Sequence, residues 1–128
     1  MMNHINWEDI DDTIEEFSMN GQTRIGKIIN IYHDHLVIAF PIYKKIYKWN
    51  CVQEYPIFCP IDDHNTINIW KGKLLNKIVE VKCKEFDNDH NIICNIFLDG
   101  ELISNWMKVI TEFSEVRLQT TALFNIDI

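Results

Sequence analysis

The chain has 128 residues, enough for one domain with a hydrophobic core, and its hydrophobic fraction of 47% excludes a disordered protein. Its formal net charge is -7 at pH 7 and its pI is about 5.1, which argues against a protein that grips nucleic acid through a basic face. No apolar run in the sequence is long enough to cross a membrane.

Residues 1–20 form an acidic N-terminal extension. Four apolar residues recur at intervals of three or four positions: Trp7, Ile10, Ile14 and Phe17. This spacing predicts a helix that Asn6 caps and that ends near residue 14 or 15. This helix either packs on the domain with its acids in water or docks a basic partner. Polar residues stand where a secretion signal would need an apolar core, so we expect an intracellular, cytoplasmic protein with reduced cysteines.

Three strands are predicted next, and Asn20-Gly21, a typical hairpin turn, indicates that residues 16–19 pair with the first of them. The strands are rich in β-branched and aromatic residues: Arg24–Tyr32, Leu36–Phe40 and Lys44–Val52. His33-Asp34-His35 is the turn between the first two strands. Pro41 is expected to end the second.

A loop and a helix follow the third strand. Tyr55–Pro60 contains two prolines, which predicts a loop. Asp62 or Asp63 can cap a helix whose apolar residues lie on one side: Ile67, Trp70, Leu74 and Leu75.

The segment Lys77–Gly100 predicts a hairpin, because two β-rich runs flank the polar break 87–91 and Asp99-Gly100 closes the second run. A helix is expected over Glu101–Thr111, with one apolar face: Leu102, Trp106, Val109 and Ile110. The remaining residues show no clear period. Val116–Phe124 is expected to be an edge strand or to lie over the core, and the apolar end of the chain is expected to dock on this domain or on a second chain.

Three strands, a helix, two strands and a helix make a mainly β fold with α: a five-stranded OB-type barrel with two or three helices. The expected organisation is the extension 1–20, a barrel domain 21–112 and a C-terminal tail 113–128. The cysteines lack the close spacing of a zinc site, and those on strands (Cys51, Cys83 and Cys94) are expected to be small buried hydrophobes. Trp49 and Trp70 are expected in the core rather than as ligand platforms.

Residues 21–111 resemble the thermonuclease, or staphylococcal-nuclease-like, family. The resemblance is carried by Lys27–Phe40, by Tyr47–Cys51, by the helix before Lys77 and above all by VEVKCKEFDNDHNIICNIFLDGELISNWM, residues 79–107. The most similar members are expected among large DNA viruses of eukaryotes. The family's final helix is not recognisable here.

The resemblance implies a thermonuclease fold and three motifs that bind calcium and cleave phosphodiesters. The first, Asp-Gly-Asp-Thr, falls on residues 33–36, so His35 stands in place of a calcium-binding Asp. Val52 stands in place of the third-strand Arg. The Asp-x-Pro-Glu motif falls on residues 54–57 when this chain is taken to be about two residues shorter here than the family members. Glu54 then keeps a carboxylate, whereas Ile57 replaces the Glu beside the attacking water. In Tyr-Gly-Arg, Asn91 replaces the phosphate-binding Arg.

The arginines decide the functional interpretation. The chain contains only Arg24, in the first strand, and Arg117, in the tail, and neither lies near a motif. Lys82 or Lys84 would supply a point charge without the planar fork that binds phosphate through two hydrogen bonds. Several catalytic groups are therefore missing together.

Two segments contain candidate metal ligands. His33 and His35, with Glu54, form a candidate transition-metal set, but two solvated histidines in a turn are the simpler interpretation. The segment 87–91 begins like a calcium loop, yet Ile92 and Leu98 occupy the positions of the required Gly and Glu. No metal or other cofactor is expected.

The sequence therefore predicts a catalytically inactive thermonuclease-like domain that serves as a structural or protein-interaction module, in the cell or in a virion. Its partner would be a protein, or a second copy bound through the N-terminal helix or the C-terminal tail. Nucleic acid and membrane partners are not expected. The alternatives are a metal-dependent nuclease with an altered site and a non-catalytic nucleic-acid-binding barrel.

Overall fold

The computed structural model describes residues 10–11, 19–54 and 64–124, with side chains described for 19–54 and 64–113. These residues form seven strands and two helices: β1 (Ile10–Asp11), β2 (Thr23–Ile31), β3 (Leu36–Ile42), β4 (Lys45–Gln53), α1 (His64–Leu74), β5 (Ile78–Phe86), β6 (Ile92–Leu98), β7 (Glu101–Leu102) and α2 (Ile103–Phe124).

Five of the strands close into a barrel. Antiparallel pairs give the strand order β4-β3-β2-β5-β6. The barrel is closed by a parallel pairing between β6 and β4, in which Cys51 lies opposite Ile92. The short strands β1 and β7 extend the sheet from β4 and β6. The order and the single parallel closure are those of an OB-type barrel. The predicted fold class is therefore confirmed.

The predicted hairpin over Lys77–Gly100 is also confirmed. Alternate residues of β5 and β6 are buried from Val79 to Cys83 and from Ile92 to Leu98, because successive side chains of a strand point to opposite faces. The turn at Asp99-Gly100 has φ of 52° and 82° at its two residues, the left-handed region that Asp and Gly tolerate.

The core lies inside the barrel and between the barrel and its helices. Trp70 is fully buried, and its indole Nε1 donates to Met107 O at 3.1 Å and to Thr111 Oγ1 at 3.0 Å. Trp49 is buried and meets the ring of Phe86 edge-on, with centroids 5.1 Å apart. Both tryptophans are core residues, as predicted.

Gly26 of β2 lies directly against β3. A Cβ built there would overlap Ile38 Cγ2 and come within 2.9 Å of Ala39 O. The strand therefore needs a residue without a side chain at this position, which lies next to Lys27, where the pairing of β2 passes from β5 to β3.

The predicted N-terminal helix is wrong at Ile10, because Ile10 and Asp11 form a strand parallel to β4, opposite Ile46 and Tyr47. β3 pairs with one edge of the first half of β4, and the other backbone edge is open to pairing with Ile10 and Asp11. The other residues of the predicted helix lie outside the described ones. The predicted turn is present: Gln22 N donates to Met19 O at 3.0 Å.

The prediction that Pro41 ends its strand is also wrong. β3 continues to Ile42, and Pro41 lies opposite Ile46. The pairing with β2 ends at Ala39, so Pro41 has a neighbouring strand on the β4 side only. A proline is tolerated at such an edge because its missing N–H is not needed there.

The helix after the hairpin begins later than predicted, and its buried face differs. Glu101 and Leu102 pair back onto β6, since Asp99-Gly100 forms a two-residue hairpin turn with positive φ at both positions. α2 then buries Ile103 and Met107, whereas Val109, expected on the apolar face, is 58% exposed.

The expected edge strand over Val116–Phe124 is wrong. α2 runs for 22 residues to Phe124, across the domain boundary predicted at residue 112. Its sequence lacks glycine and proline throughout, so nothing in the backbone chemistry interrupts it.

Candidate functional site

Three segments that carry the aligned motif positions meet on neighbouring strands. Leu36 of β3 lies opposite Cys51 of β4, and Cys51 lies opposite Ile92 of β6. Strands are spaced by about 4.8 Å, so the first residues of β3 and β6 are about 10 Å apart. The turns 32–35 and 87–91 precede these residues, and Gln53–Glu54 ends the strand between them. We call these three segments the barrel rim.

The turn from β2 to β3 is organised by Asp34. Its Oδ1 lies 2.7 Å from His35 Nδ1 and 4.0 Å from His33 Nδ1. The hydrogen bond from His35 holds the pKa of Asp34 below its ordinary value. The ring of His35 also stacks on Tyr32, with centroids 4.6 Å apart. His35, aligned with a calcium-binding Asp, is therefore engaged within its own turn.

The end of β4 presents one carboxylate, and a lysine meets it. Glu54 Oε1 lies 3.4 Å from Lys84 Nζ, and the Glu54 N–H donates to Cys94 O at 2.8 Å. Val52, aligned with the third-strand Arg, lies opposite Ile93, and its carbonyl accepts from Cys94 Sγ at 3.7 Å. Ile57, aligned with the water-activating Glu, lies outside the described residues.

The turn from β5 to β6 is held by Asp87. Its Oδ1 accepts the backbone N–H groups of Asp89 and Asn91, both at 2.9 Å, and its Oδ2 accepts from Asn91 Nδ2 at 3.2 Å. These hydrogen bonds hold the pKa of Asp87 below its ordinary value, and the bond from the backbone N–H of Asn91 has the largest effect. His90 takes a positive φ of 62° at the tip. Asn91, aligned with the phosphate-binding Arg, thus serves to close the turn.

The rim contains polar groups but no assembled metal site. Among the residues that the structure describes, no three His, Cys, Asp or Glu side chains lie close enough to hold a metal ion, and this includes the candidate set His33, His35 and Glu54. Gln53, 7% exposed, has a buried Nε2 without a hydrogen-bond partner in this structure.

The three described cysteines are buried free thiols, as predicted for Cys51, Cys83 and Cys94. Burial raises the pKa of Cys51 well above its ordinary value and raises that of Cys83 to about 12. A thiol with so high a pKa is a poor nucleophile at neutral pH. The cluster therefore fills the barrel rather than providing a reactive group.

Arg24 is the residue whose position the sequence interpretation missed. It alternates with Gly26 and Ile28 on the inward side of β2, and its guanidinium counteracts in part the rise in the pKa of Cys83. Cys83 is the neighbour of Lys84, which pairs with Glu54. The period-two pattern of β2 was the available signal, because it places residue 24 on the same face as residues 26 and 28.

A concave region lies on the outer face of β2, β5 and β6, away from the barrel rim, and the sequence did not predict it. It is an open cleft of about 460 Å³, in which Lys82 Nζ lies 4.9 Å from the centre of the Phe97 ring. Ile25 and Ile78 form its apolar wall and are 50% and 44% exposed.

Comparison with known proteins does not extend these observations. No family model matches the sequence, and no curated protein is significantly similar to it. Within the part of the chain that the structure describes, no helix is both long and apolar enough to span a membrane. The strand pairings show an OB-type barrel. The thermonuclease resemblance stays a hypothesis.

Proposed function

We propose that the chain is a catalytically inactive, thermonuclease-like OB-type barrel that acts, inside a cell or in a virus particle, as a structural or protein-interaction module. One observation carries the proposal: side chains at the aligned positions of the barrel rim are engaged in contacts within their own turn or with a neighbouring strand. Glu54 meets Lys84, and Asn91 meets Asp87. These contacts support a rim that stabilises its turns rather than one that receives a cation and a phosphate.

The chemistry of phosphodiester hydrolysis makes the replaced residues costly. Calcium requires several oxygen ligands, and the attacked phosphate gathers charge that guanidinium groups neutralise. Losing one such electrostatic contact lowers the rate about 10²- to 10³-fold. In the family alignment, His35, Val52 and Asn91 remove a ligand and two guanidinium groups together, so little activity is expected to remain.

The distribution of charge favours a protein partner over nucleic acid. Residues 1–18 contain six acidic and no basic residues, and residues 103–128 contain three acidic and two basic ones. The segment 19–102, which contains the barrel, is therefore neutral overall. A neutral barrel next to an acidic extension offers little attraction to a phosphate backbone.

A cleavage assay tests the proposal directly. The full chain is incubated with single- and double-stranded DNA and with RNA, in calcium or manganese, beside a thermonuclease as positive control. We expect no cleavage above a buffer control. Cleavage that a chelator abolishes, and that His35→Ala removes while Asp89→Asn does not, would support the altered nuclease instead.

Back-substitution probes whether the rim retains the shape of a nuclease site. Val52→Arg, Ile57→Glu and Asn91→Arg restore the side chains that the family alignment requires. We expect the triple variant to stay inactive, because the Asn91 side chain also closes its turn through Asp87, and because His35 still stands in place of the calcium-binding Asp. Metal-dependent cleavage by the folded triple variant would show that the remaining rim is competent.

Binding at two salt concentrations tests the third possibility. Fluorescence anisotropy with a labelled single-stranded DNA and a matched RNA would report binding by the barrel. We expect no saturable binding at either low or moderate salt. Saturable binding that weakens with salt would identify a nucleic-acid-binding barrel and contradict the proposed partner class.

A further inference from the structure

We infer that two copies of this chain pair through α2 as a parallel, in-register helix pair. The inference names the partner of the proposed interaction module. It does not require the barrel to be inactive, since oligomeric state and cleavage are measured separately.

The helix has two faces with different contacts. The first docks on the domain: Ile103 and Met107 are fully buried, and Thr111 accepts the indole N–H of Trp70. The second is apolar and exposed: Val109 and Phe113 are 58% and 64% accessible. They lie four residues apart, so they are neighbours on one side of the helix.

The sequence of α2 from Val109 onward has the spacing of a coiled coil. From Val109 onward, residues recur at alternating intervals of four and three, through the last turn of α2: Val109, Phe113, Val116, Thr120 and Leu123. We call these five residues the α2 stripe. Such a repeat favours packing against a second helix, because it keeps the same side facing the partner over successive turns.

The length of α2 leaves room for this contact. Its 22 residues make a helix about 33 Å long. Among the side chains that the structure describes, those in contact with the domain lie within residues 103–111, and the helix continues to Phe124. The exposed apolar surface of Val109 and Phe113 is costly to leave in water.

Charge next to the stripe selects the partner and its direction. With Phe113 at position a and Val116 at position d, Glu112 falls at position g and Arg117 at position e of the same heptad register. In a parallel pair, position g of one helix faces the e position five residues further along the other. Glu112 of each copy then meets Arg117 of its partner, twice by symmetry. An unrelated partner would not be expected to match this pattern.

Oligomeric state tests the inference on the full chain. Light scattering or sedimentation, from about 1 to 200 µM protein, should give a mass that rises from 15.2 kDa toward twice that value. Val109→Glu and Phe113→Glu should each return the chain to a monomer. Lys108→Glu, an exposed change of larger charge on another side of the helix, should leave the dimer intact.

Charge exchange distinguishes this pair from other assemblies. Glu112→Arg alone or Arg117→Glu alone should weaken the dimer at least tenfold, and the two together should restore it. A wild-type chain that stays monomeric throughout, a dimer that both stripe variants leave unchanged, or a double exchange that fails to restore association overturns the inference. Circular dichroism would establish that each variant is folded.

Discussion

The indole Nε1 of Trp70 lies 3.1 Å from the main-chain oxygen of Met107 and ties α1 to α2. The same N–H also reaches Thr111 Oγ1 at 3.0 Å, and that hydroxyl donates to Met107 O at 2.8 Å. The two helices are separated in sequence by the whole β5–β6 hairpin. One buried side chain therefore fixes the start of α2 against the domain.

Replacing Trp70 by Phe should destabilise the protein by at least about 1–2 kcal/mol, because it removes the N–H that two acceptors share and leaves a small cavity in place of the five-membered ring. Trp70→Ala should cost about 3–5 kcal/mol, because it leaves a larger cavity. Urea unfolding followed by circular dichroism measures both. Thr111→Val removes one acceptor only and should cost less than Trp70→Phe. A Trp70→Phe variant as stable as wild type would show that the hydrogen bonds do not matter.

Gly26→Ala should destabilise the barrel by roughly 1–3 kcal/mol, because the added methyl group meets the side chain of Ile38 and the carbonyl of Ala39. Gly72→Ala is the matched control. Nothing lies within 4 Å of a Cβ at this helical position, so the change should stabilise the protein by up to about 1 kcal/mol. Thermal unfolding would report the two shifts in opposite directions. Equal shifts would contradict the close approach of β2 and β3.

Acid should weaken the turn that Asp87 holds. Hydrogen bonds depress the folded-state pKa of Asp87 below its ordinary value of 3.8. Their contribution to stability is therefore complete above that value and is lost as the pH falls through the lower, folded-state pKa. The difference in unfolding free energy between wild type and Asp87→Asn should shrink as the pH falls from 6 to 3.

Asp89→Asn changes the same charge in the same turn and serves as its control. It should show a smaller difference from wild type at pH 6. If the two variants followed the same pH profile, the hydrogen bonds of Asp87 would not be the cause.

The buried thiols should resist modification in the folded protein. In a Cys59→Ser variant, Cys51, Cys83 and Cys94 remain, and all three are buried. We expect an alkylating reagent at pH 8 to leave them intact by mass spectrometry while it modifies all three in denaturant. Fast modification of Cys83 in the folded state would contradict its raised pKa.

Where local chemistry and pairing agree, the sequence predicted the fold. The hairpin 77–100 alternates buried and exposed residues, and its turn residues tolerate positive φ. The stripe of Ile67, Trp70 and Leu74 likewise matched the buried side of α1. The order of these elements was sufficient to predict the OB-type barrel.

Where the prediction was wrong, a distant part of the chain decided the outcome. The three- and four-residue spacing around Ile10 indicated a helix, but the open edge of β4 makes a strand there. Pro41 indicated a strand end, but β3 lacks a partner on one side at that point. Asp99-Gly100 carried the signal for β7, which was interpreted only as the end of β6.

The candidate site was predictable only as a list of positions. Alignment indicated which residues replace the expected catalytic ones, whereas the contacts at the rim depend on side-chain geometry. The pairing of Glu54 with Lys84 and the inward position of Arg24 arise from strands that the sequence does not bring together by itself.

The parallel seam between Cys51 and Ile92 has a consequence for biosynthesis. During translation, β4 emerges from the ribosome long before β6 has been synthesised. Until then, the backbone groups on the edge of β4 that pairs with β6 lack a partner strand. We therefore expect nascent chains stalled before residue 92 to bind chaperones, and chains released after Leu98 to escape them as the seam closes.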